Sequence, residues 1–278
     1  MFNTIDLYQK EINEYRPFGP SLLPQIKEYY RVSLTYTSNA IEGFGYTEVE
    51  TKVLLEDGLT VGGKPFRDAM AVIGHAKAYD HMFSLIQNRK ITNQDILTMH
   101  SMLEGSLNSG SPGSYRDKPV FVTGSPHSFP RPDEVPPEMN AFEKWMQTER
   151  EKLHPVEYAV LVHKRLVFIH PFEDGNGRVS RLAMNTALIQ DGYLPIIVPP
   201  ILRTEYIEAL RVADKDDVPF KEFMYRQVIE SQKSFLRLIR NTDIDASRVQ
   251  STTAESRSQQ KTPDIAPPAK SKARKIGR

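Results

Sequence analysis

Apolar residues recur at helical spacing through most of the first 240 residues, which predicts a mostly α-helical fold. The pattern predicts a helix at 24–41 that ends at Gly43, and a short helix opened by a capping box of Thr47 and Glu50. Further helices are predicted at 66–88, 92–107, 134–150, 155–169 and 177–190, with at least two more reaching about residue 239.

One segment, residues 108–133, interrupts this pattern with repeated Gly, Ser and Pro. Inside it lies the apolar run Val120-Phe121-Val122, and a Gly-Ser-Pro turn signal follows. This predicts a small β-hairpin over about 116–130. Strands do not alternate with helices and no internal repeat is present, so the predicted class is mostly α with one hairpin.

Composition and charge exclude several classes of function. The 278 residues suffice for a sizeable core, and the net charge of +1 argues against nucleic acid as the main partner. The chain has no Cys, which excludes disulfides, thiolate metal sites and thiol nucleophiles. Neither a secretory signal nor a long apolar stretch is present, so we expect a cytoplasmic protein without membrane contact.

The small net charge hides two oppositely charged parts. Residues 243–278 contain eight basic and four acidic side chains, a charge of +4, so the first 242 residues carry −3. This tail lacks aromatic residues and is rich in Ser, Thr, Gln, Pro and Lys, which predicts a disordered segment. The remainder divides into an N-terminal helical region, 1–105, and a core, 106–242.

A polar, Gly-rich loop joins the two most apolar predicted helices, 155–169 and 177–190. Charged groups at the edge of a core need partners, and a ligand is the obvious one here. Gly175 and Gly177 allow successive N–H groups to point into one concavity. Because that concavity lies at the start of a helix, it favours an anion.

The charged residues of the loop narrow the chemistry. Arg178 and Arg181 are three residues apart, so they share a helix face, and two guanidinium groups there suit a polyphosphate. Asp174 beside phosphate indicates an intervening divalent cation, usually Mg²⁺. His170 is a group that accepts a proton near neutral pH. Together they predict phosphoryl or nucleotidyl transfer, although each residue alone has a plainer explanation as a helix cap, a turn or a solvated face.

The segment from His170 to Arg181, HPFEDGNGRVSR, resembles the signature H-P-F-x-D/E-G-N-G-R-x-x-R of Fic-domain proteins at every specified position. The resemblance implies a Fic-like helical bundle that transfers AMP from ATP to a Ser, Thr or Tyr hydroxyl of a protein and releases pyrophosphate. The roles that it implies are general base for His170, Mg²⁺ ligand for Asp174, anion hole for the backbone of Gly175, Asn176 and Gly177 with the Asn176 side chain, and phosphate contacts for Arg178 and Arg181.

The predicted hairpin resembles the flap of this family. By that resemblance a protein target adds an extended segment to the flap edge, and Val120, Phe121 and Val122 are the candidate edge. A plain surface hairpin explains the same residues equally well.

A second match lies upstream, where Ser38-Asn39-Ala40-Ile41-Glu42-Gly43 resembles the inhibitory motif S/T-x-x-x-E-G/N of the family. Ser38 and Glu42 are four residues apart and share a helix face, and an acidic residue in a last turn opposes the helix dipole. The resemblance implies that Glu42 pairs with Arg181 at the γ-phosphate position. The enzyme would then be auto-inhibited by the helix at 24–43. The plainer explanation is an exposed Glu followed by Gly43 as a helix cap.

Several alternatives remain open at this point. The same carboxylate could position water for removing AMP, or the enzyme could transfer UMP, phosphate or phosphocholine. A nucleotide-gated binding module is a third class, which the intact His170 argues against. Leu202 and Tyr206 are candidates for an adenine pocket, and His163 is expected to be a core residue. A target protein or the chain itself carries the accepting hydroxyl, and neither the target nor the oligomeric state is assigned.

Overall fold

The computed structural model describes residues 1–107, 111–122, 124 and 126–259, and for residues 241–259 it describes the backbone alone. Within this part the chain forms α-helices joined by short loops and single 3₁₀ turns, except for the long connection between α5 and α6. The helices are α1 Phe2–Glu14, α2 Leu22–Ile41, α3 Glu48–Asp57, α4 Phe66–Ser84, α5 Asn93–Gly105, α6 Val135–Glu149, α7 Pro155–Ile169, α8 Asn176–Gln190, α9 Arg203–Val212 and α10 Val218–Gln259.

Helices α7 and α8 form the centre, as their apolar sequences predict. Both carry buried side chains around most of their circumference, including Val160 and Leu166 on α7 and Leu182 and Leu188 on α8. Three helices that precede the pair in the sequence, α2, α4 and α5, pack against α8, and α6 packs against α7. The loop between α7 and α8 therefore lies at one end of the most buried pair of helices.

Helix α2 is a core element and not a surface appendage. Tyr30, Leu34 and Ile41 on this helix are buried, and the polar residues of its last two turns are buried with them. Arg203, the first residue of α9, donates from Nε to the carbonyl of Ile41 at 2.6 Å. The C-terminal end of α2 is thus fixed to the helix that follows the central pair.

Helix termini agree with the predicted capping signals. Thr47 and Glu50 form the capping box that opens α3, and Thr92 with Asp95 forms a second one that opens α5. Helix α1, for which no prediction was made, buries Ile5 and Ile12.

The predicted hairpin is not formed among the described residues of 116–130, which contain no strand. Two physical reasons account for the difference. Pro119, Pro126 and Pro130 cannot donate ladder hydrogen bonds. The carbonyls of Lys118 and Pro130 accept from the Arg116 guanidinium and not from a partner strand. We keep the name flap for residues 116–130, as an irregular segment.

Residues Met1–Ser234 form one compact unit, so the predicted region 1–105 and most of the predicted core belong to the same unit. Phe235–Arg278 form the second unit. Helix α10 continues to Gln259, past the predicted start of the tail at residue 243, and residues 260–278 lie outside the described part. No helix in the described part is both long and apolar enough to cross a membrane.

Candidate functional site

The loop between α7 and α8 is held in shape by its own residues. Phe172 is fully buried, and its ring stacks on His100 with 3.7 Å between centroids. The Asn176 side chain accepts from the Phe172 N–H at 3.0 Å and donates to the Phe172 carbonyl at 2.8 Å. The oxygen and the nitrogen of the Asn176 side chain are therefore both bonded within the loop, and this side chain stabilises the loop. The backbone N–H of Asn176 is the group that remains to bind an anion.

The glycines of the loop lie at the N-terminus of α8, where we predict an anion site. Gly175 is the N-cap with φ 77°, a left-handed conformation that favours glycine. The N–H groups of the first helical turn have no acceptor within the helix. A Cβ on Gly177 would lie 2.5 Å from the Glu42 carboxylate, so a larger residue there would make that carboxylate shift.

His170 closes α7 and faces this site. Its backbone is left-handed, with φ 51°, and its N–H donates to the Leu166 carbonyl at 3.1 Å. Burial lowers the pKa of His170 to about 4, although the Val167 carbonyl opposes the shift. Nδ1 lies 3.2 Å from that carbonyl, an acceptor, so Nδ1 carries the hydrogen and Nε2 keeps its lone pair. His170 is therefore neutral and able to accept a proton.

Asp174 is an exposed carboxylate beside the α8 N-terminus. Oδ1 accepts from the Gly175 N–H at 2.6 Å, and Nη2 atoms of Arg67 and Arg178 lie 3.8 Å from the carboxylate. Among the described residues no group of three or more His, Cys, Asp or Glu side chains forms a metal cage. A single carboxylate next to an anion site nevertheless fits Mg²⁺, which takes its other ligands from phosphates and water.

Arg181 is buried and bound by the end of α2. Its Nη2 donates to the Glu42 carboxylate at 2.7 Å and to the Ser38 carbonyl at 2.9 Å, while Nε donates to the Ser38 hydroxyl at 3.0 Å. On its other side Nη1 donates to the Tyr206 hydroxyl at 3.3 Å. Gly43 follows with φ 92° and lets the chain turn away after Glu42. The structure thus brings together Ser38, Glu42 and Arg181 across 139 residues.

Arg178 does not share an open face with Arg181. It is 1% exposed, and its Nη2 donates to the Glu104 carboxylate at 2.5 Å. The Phe44 ring covers the guanidinium at 5.1 Å from its centroid. Sequence reasoning missed Glu104, because one acidic residue on an amphipathic helix has the appearance of a solvated side chain.

Arg116 joins the flap to the loop between α7 and α8, and sequence reasoning missed it as well. Nε donates to the His170 carbonyl at 2.8 Å, Nη1 to the Lys118 carbonyl at 3.0 Å and Nη2 to the Pro130 carbonyl at 2.5 Å. The backbone N–H of Arg116 donates to the Pro171 carbonyl at 2.9 Å. One buried side chain therefore ties both ends of the flap to His170.

We expect Arg116→Lys to destabilise the protein by about 3 kcal/mol, because an ammonium group cannot reach three separate carbonyls and each lost charged hydrogen bond costs about 1.5–3 kcal/mol. Urea unfolding measures the effect. Arg131→Lys is the matched control, because Arg131 lies in the same region and its side chain is 71% exposed. Equal stability of the two variants would contradict the role of Arg116 as a tie.

A cleft of about 350 Å³ opens beside His170. Its walls come from the flap, the end of α7, the start of α8 and one face of α9, and they include Val122, Phe168, Gly177, Arg181, Ile207 and Leu210. Glu42 and Tyr206 also line it. Of the three predicted edge residues of the flap, Val122 borders the cleft, Phe121 is 94% exposed and Val120 is partly buried. Tyr206 is therefore placed in the cleft, and His163 is buried with Nε2 2.8 Å from the Tyr206 hydroxyl.

The sequence model of the Fic/DOC family matches residues 90–188, which include α5 to most of α8 and the whole loop. The proteins named "Protein adenylyltransferase Fic" from Drosophila erecta and Drosophila melanogaster are 40% identical to this chain over 192 residues. The match covers 68% of this chain, and 38% and 39% of those two relatives. The chain thus spans about two fifths of the length of the curated relatives that it matches.

Solved structures give the same result for the fold. A Fic domain containing signaling protein from Bacteroides thetaiotaomicron superposes with a TM-score of 0.76 at 27% identity, covering 83% of this chain and 95% of that one. A Fic-1 fragment from C. elegans superposes with a TM-score of 0.77 at 27% identity, covering 86% of this chain and 72% of that one.

Proposed function

Because the chain belongs to the Fic/DOC family, we propose that it is a protein adenylyltransferase, which transfers AMP from ATP to a hydroxyl of a protein and releases pyrophosphate. One observation carries the proposal. A neutral His170, the N-terminus of α8 and Arg181 all border one cleft, so a proton acceptor lies beside an anion site. The relatives named as adenylyltransferases supply the reaction class.

In the proposed reaction His170 acts as general base. The hydroxyl oxygen of the target attacks the α-phosphorus of ATP, and its proton passes to Nε2 of His170. The bond between the α-phosphorus and the bridging oxygen of pyrophosphate breaks as the new P–O bond forms. The N–H groups at the start of α8 stabilise charge on the phosphate oxygens, in an arrangement that the Asn176–Phe172 bonds fix beforehand.

We assign Mg²⁺ to Asp174, where the bound ion would neutralise phosphate charge. The carboxylate is already oriented by the Gly175 N–H at 2.6 Å. Arg67 lies on its solvent side, with both side chains exposed.

The adenine base is assigned to the apolar part of the cleft. Ile207 and Leu210 on α9 face Val122 of the flap and Val167 of α7 around this space. An apolar slot with few polar groups suits a flat aromatic ring. Leu202, the other sequence candidate, is not among the residues lining the cleft.

We further propose that Glu42 inhibits the enzyme. Its carboxylate binds the guanidinium that the terminal phosphate of ATP would use, and it lines the cleft itself. The pair is asymmetric, since the Arg181 side chain is 6% exposed while that of Glu42 is 35% exposed. The carboxylate is therefore the partner that can leave, and α2 is the inhibitory helix.

Target docking is assigned to the flap, through Val120, Phe121 and Val122. Phe121 is a large apolar side chain that is 94% exposed and has no core to join. An extended segment of a target protein lying along these residues would bring its hydroxyl to His170, because Arg116 ties the flap to that residue.

Removal of AMP from a modified target is a second candidate, favoured by the partly exposed Glu42 carboxylate in the same cleft as His170. A carboxylate in that place could orient water towards the α-phosphorus. Release of AMP from a labelled target, faster with the wild type than with Glu42→Gly, would support this activity.

Incubation of the protein with ATP labelled at either the α- or the γ-phosphate tests the main proposal. We expect the α-label, and not the γ-label, to become attached to protein, most strongly in Glu42→Gly. Attachment of the γ-label would identify a kinase instead. Absence of both labels in Glu42→Gly, with a cell extract present as a source of targets, would contradict nucleotidyl transfer.

The pH dependence follows from His170. The reaction needs its neutral form, which exists above the pKa, and the pKa is lowered from 6.5 to about 4. We therefore expect kcat of Glu42→Gly at saturating ATP to change less than about twofold between pH 8 and 5.5, whereas a histidine of ordinary pKa would lose about tenfold. ATP binding measured over the same pH range is the control for titration of the nucleotide. A tenfold loss of kcat by pH 5.5 would contradict this assignment.

A further inference from the structure

Both motif arginines bind a carboxylate, but the two pairs differ in character. Glu42, which binds Arg181, has a side chain that is 35% exposed, and it lies in the cleft. Glu104, which binds Arg178, is 1% exposed, as is Arg178 itself. A buried pair of this kind cannot lose one member without leaving an uncompensated charge. The Arg178–Glu104 pair is therefore a permanent part of the fold.

The pair lies directly behind the anion site. A Cβ on Gly175 would be 2.6 Å from Oε1 of Glu104, so the carboxylate touches the backbone at the point where α8 begins. Glu104 sits on α5 and Arg178 on the first turn of α8, so their bond joins these helices at the loop.

Arg178 is also buried behind the cleft. It is 1% exposed, whereas Arg181 and Gly177 line the cleft. Its Nε and Nη1 are buried and find no acceptor among the described residues, and Phe44 lies over the guanidinium. A phosphate in the cleft therefore meets backbone N–H groups and Arg181 before it meets Arg178.

We infer that Glu104 is a positioning residue that holds Arg178 behind the anion loop and cancels its charge there, so that Arg178 supports the loop and does not bind phosphate. This inference rests on the proposed function, because it concerns the nucleotide site of the same reaction. It departs from the family resemblance, which assigns Arg178 a phosphate contact.

The test measures binding of a non-hydrolysable ATP analogue to the full chain in the Glu42→Gly background, where Arg181 is released. Glu104→Gln keeps an oxygen acceptor for Arg178 and removes the negative charge behind the loop. We expect it to bind the analogue about tenfold more tightly at low salt, with the gain shrinking as salt rises. A merely structural role would lower thermal stability and leave affinity and its salt dependence unchanged, which would overturn the inference.

The double variant Glu104→Gln with Arg178→Gln restores local neutrality and remains decisive if the single variant does not fold. We expect its affinity for the analogue to lie within about twofold of the Glu42→Gly parent, because the charge behind the loop is again zero. A tenfold loss would mean that Arg178 itself binds phosphate, and would overturn the inference. Failure of the Glu42→Gly parent to bind the analogue would count instead against the proposed function.

Discussion

Glu42→Gly is expected to raise transfer of the α-label to protein by about a hundredfold. ATP must displace the Glu42 carboxylate from Arg181, and a hydrogen bond to a charged group contributes about 1.5–3 kcal/mol, where each 1.4 kcal/mol corresponds to about a tenfold change. The substitution removes the carboxylate that accepts from Arg181 Nη2 at 2.7 Å, while the two hydrogen bonds that Arg181 donates to Ser38 keep the guanidinium in place. The freed donor can then bind the terminal phosphate of ATP. Initial rates of labelling at fixed ATP measure the change.

Two control variants separate the carboxylate from the backbone. Glu42→Gln keeps the side chain and removes its charge, so it should activate less than glycine but in the same direction. Glu56→Gly makes the same substitution in the last turn of α3, where Glu56 lies 3.8 Å from Lys52 at the surface, and it should leave the rate unchanged. Equal labelling by Glu42→Gly and the wild type would contradict the proposal that Glu42 inhibits the enzyme.

His170→Ala is expected to lower transfer by roughly a thousandfold or more, because general base catalysis typically contributes 10²–10⁴-fold. The variant should abolish labelling even in combination with Glu42→Gly. The backbone of residue 170 is left-handed, and alanine there carries a strain that asparagine avoids. His170→Asn is therefore the cleaner variant, since it removes the base and keeps the turn.

Binding of the ATP analogue distinguishes a loss of the chemical step from a loss of folding. Both His170 variants should bind the ATP analogue within a few fold of the parent, because the N-terminus of α8 and Arg181 are untouched. His81→Ala on α4, outside the cleft, serves as the control for loss of an imidazole. Retention of substantial labelling by His170→Asn would exclude His170 as the base.

The elements that sequence predicts well are those with local causes. The all-round apolar pattern of 155–169 predicts a central helix, and α7 is that helix with the same bounds. Thr47 with Glu50 predicts a helix start because both bonds of a capping box form within four residues. The helix start at Gly175 follows likewise, because a left-handed N-cap is a property of the loop itself.

Features that depend on partners far away in the sequence could not be predicted in the same way. The partner of Arg178 is 74 residues away on α5, and neither helix reveals that the two charges share one buried space. The predicted hairpin is not formed because, although Val120-Phe121-Val122 has strand propensity, the neighbouring prolines lack donors and the Arg116 guanidinium takes the carbonyls of Lys118 and Pro130. The pairing of Glu42 with Arg181 is the one distant contact named from sequence, and it came from the resemblance to the inhibitory motif. The unfavourable position of Glu42 in the helix dipole indicated only that it needs a partner.

The burial of α2 bears on how the proposed inhibition by Glu42 could be relieved. Proteolytic removal of an inhibitory segment works when that segment is an appendage, but Tyr30, Leu34 and Ile41 belong to the core, and Arg203 holds the last carbonyl of the helix. A protease that excised α2 would leave an apolar gap and an unfolded chain. Under the proposed inhibition by Glu42, activation would need only a rotation of one carboxylate away from Arg181, with α2 left in place.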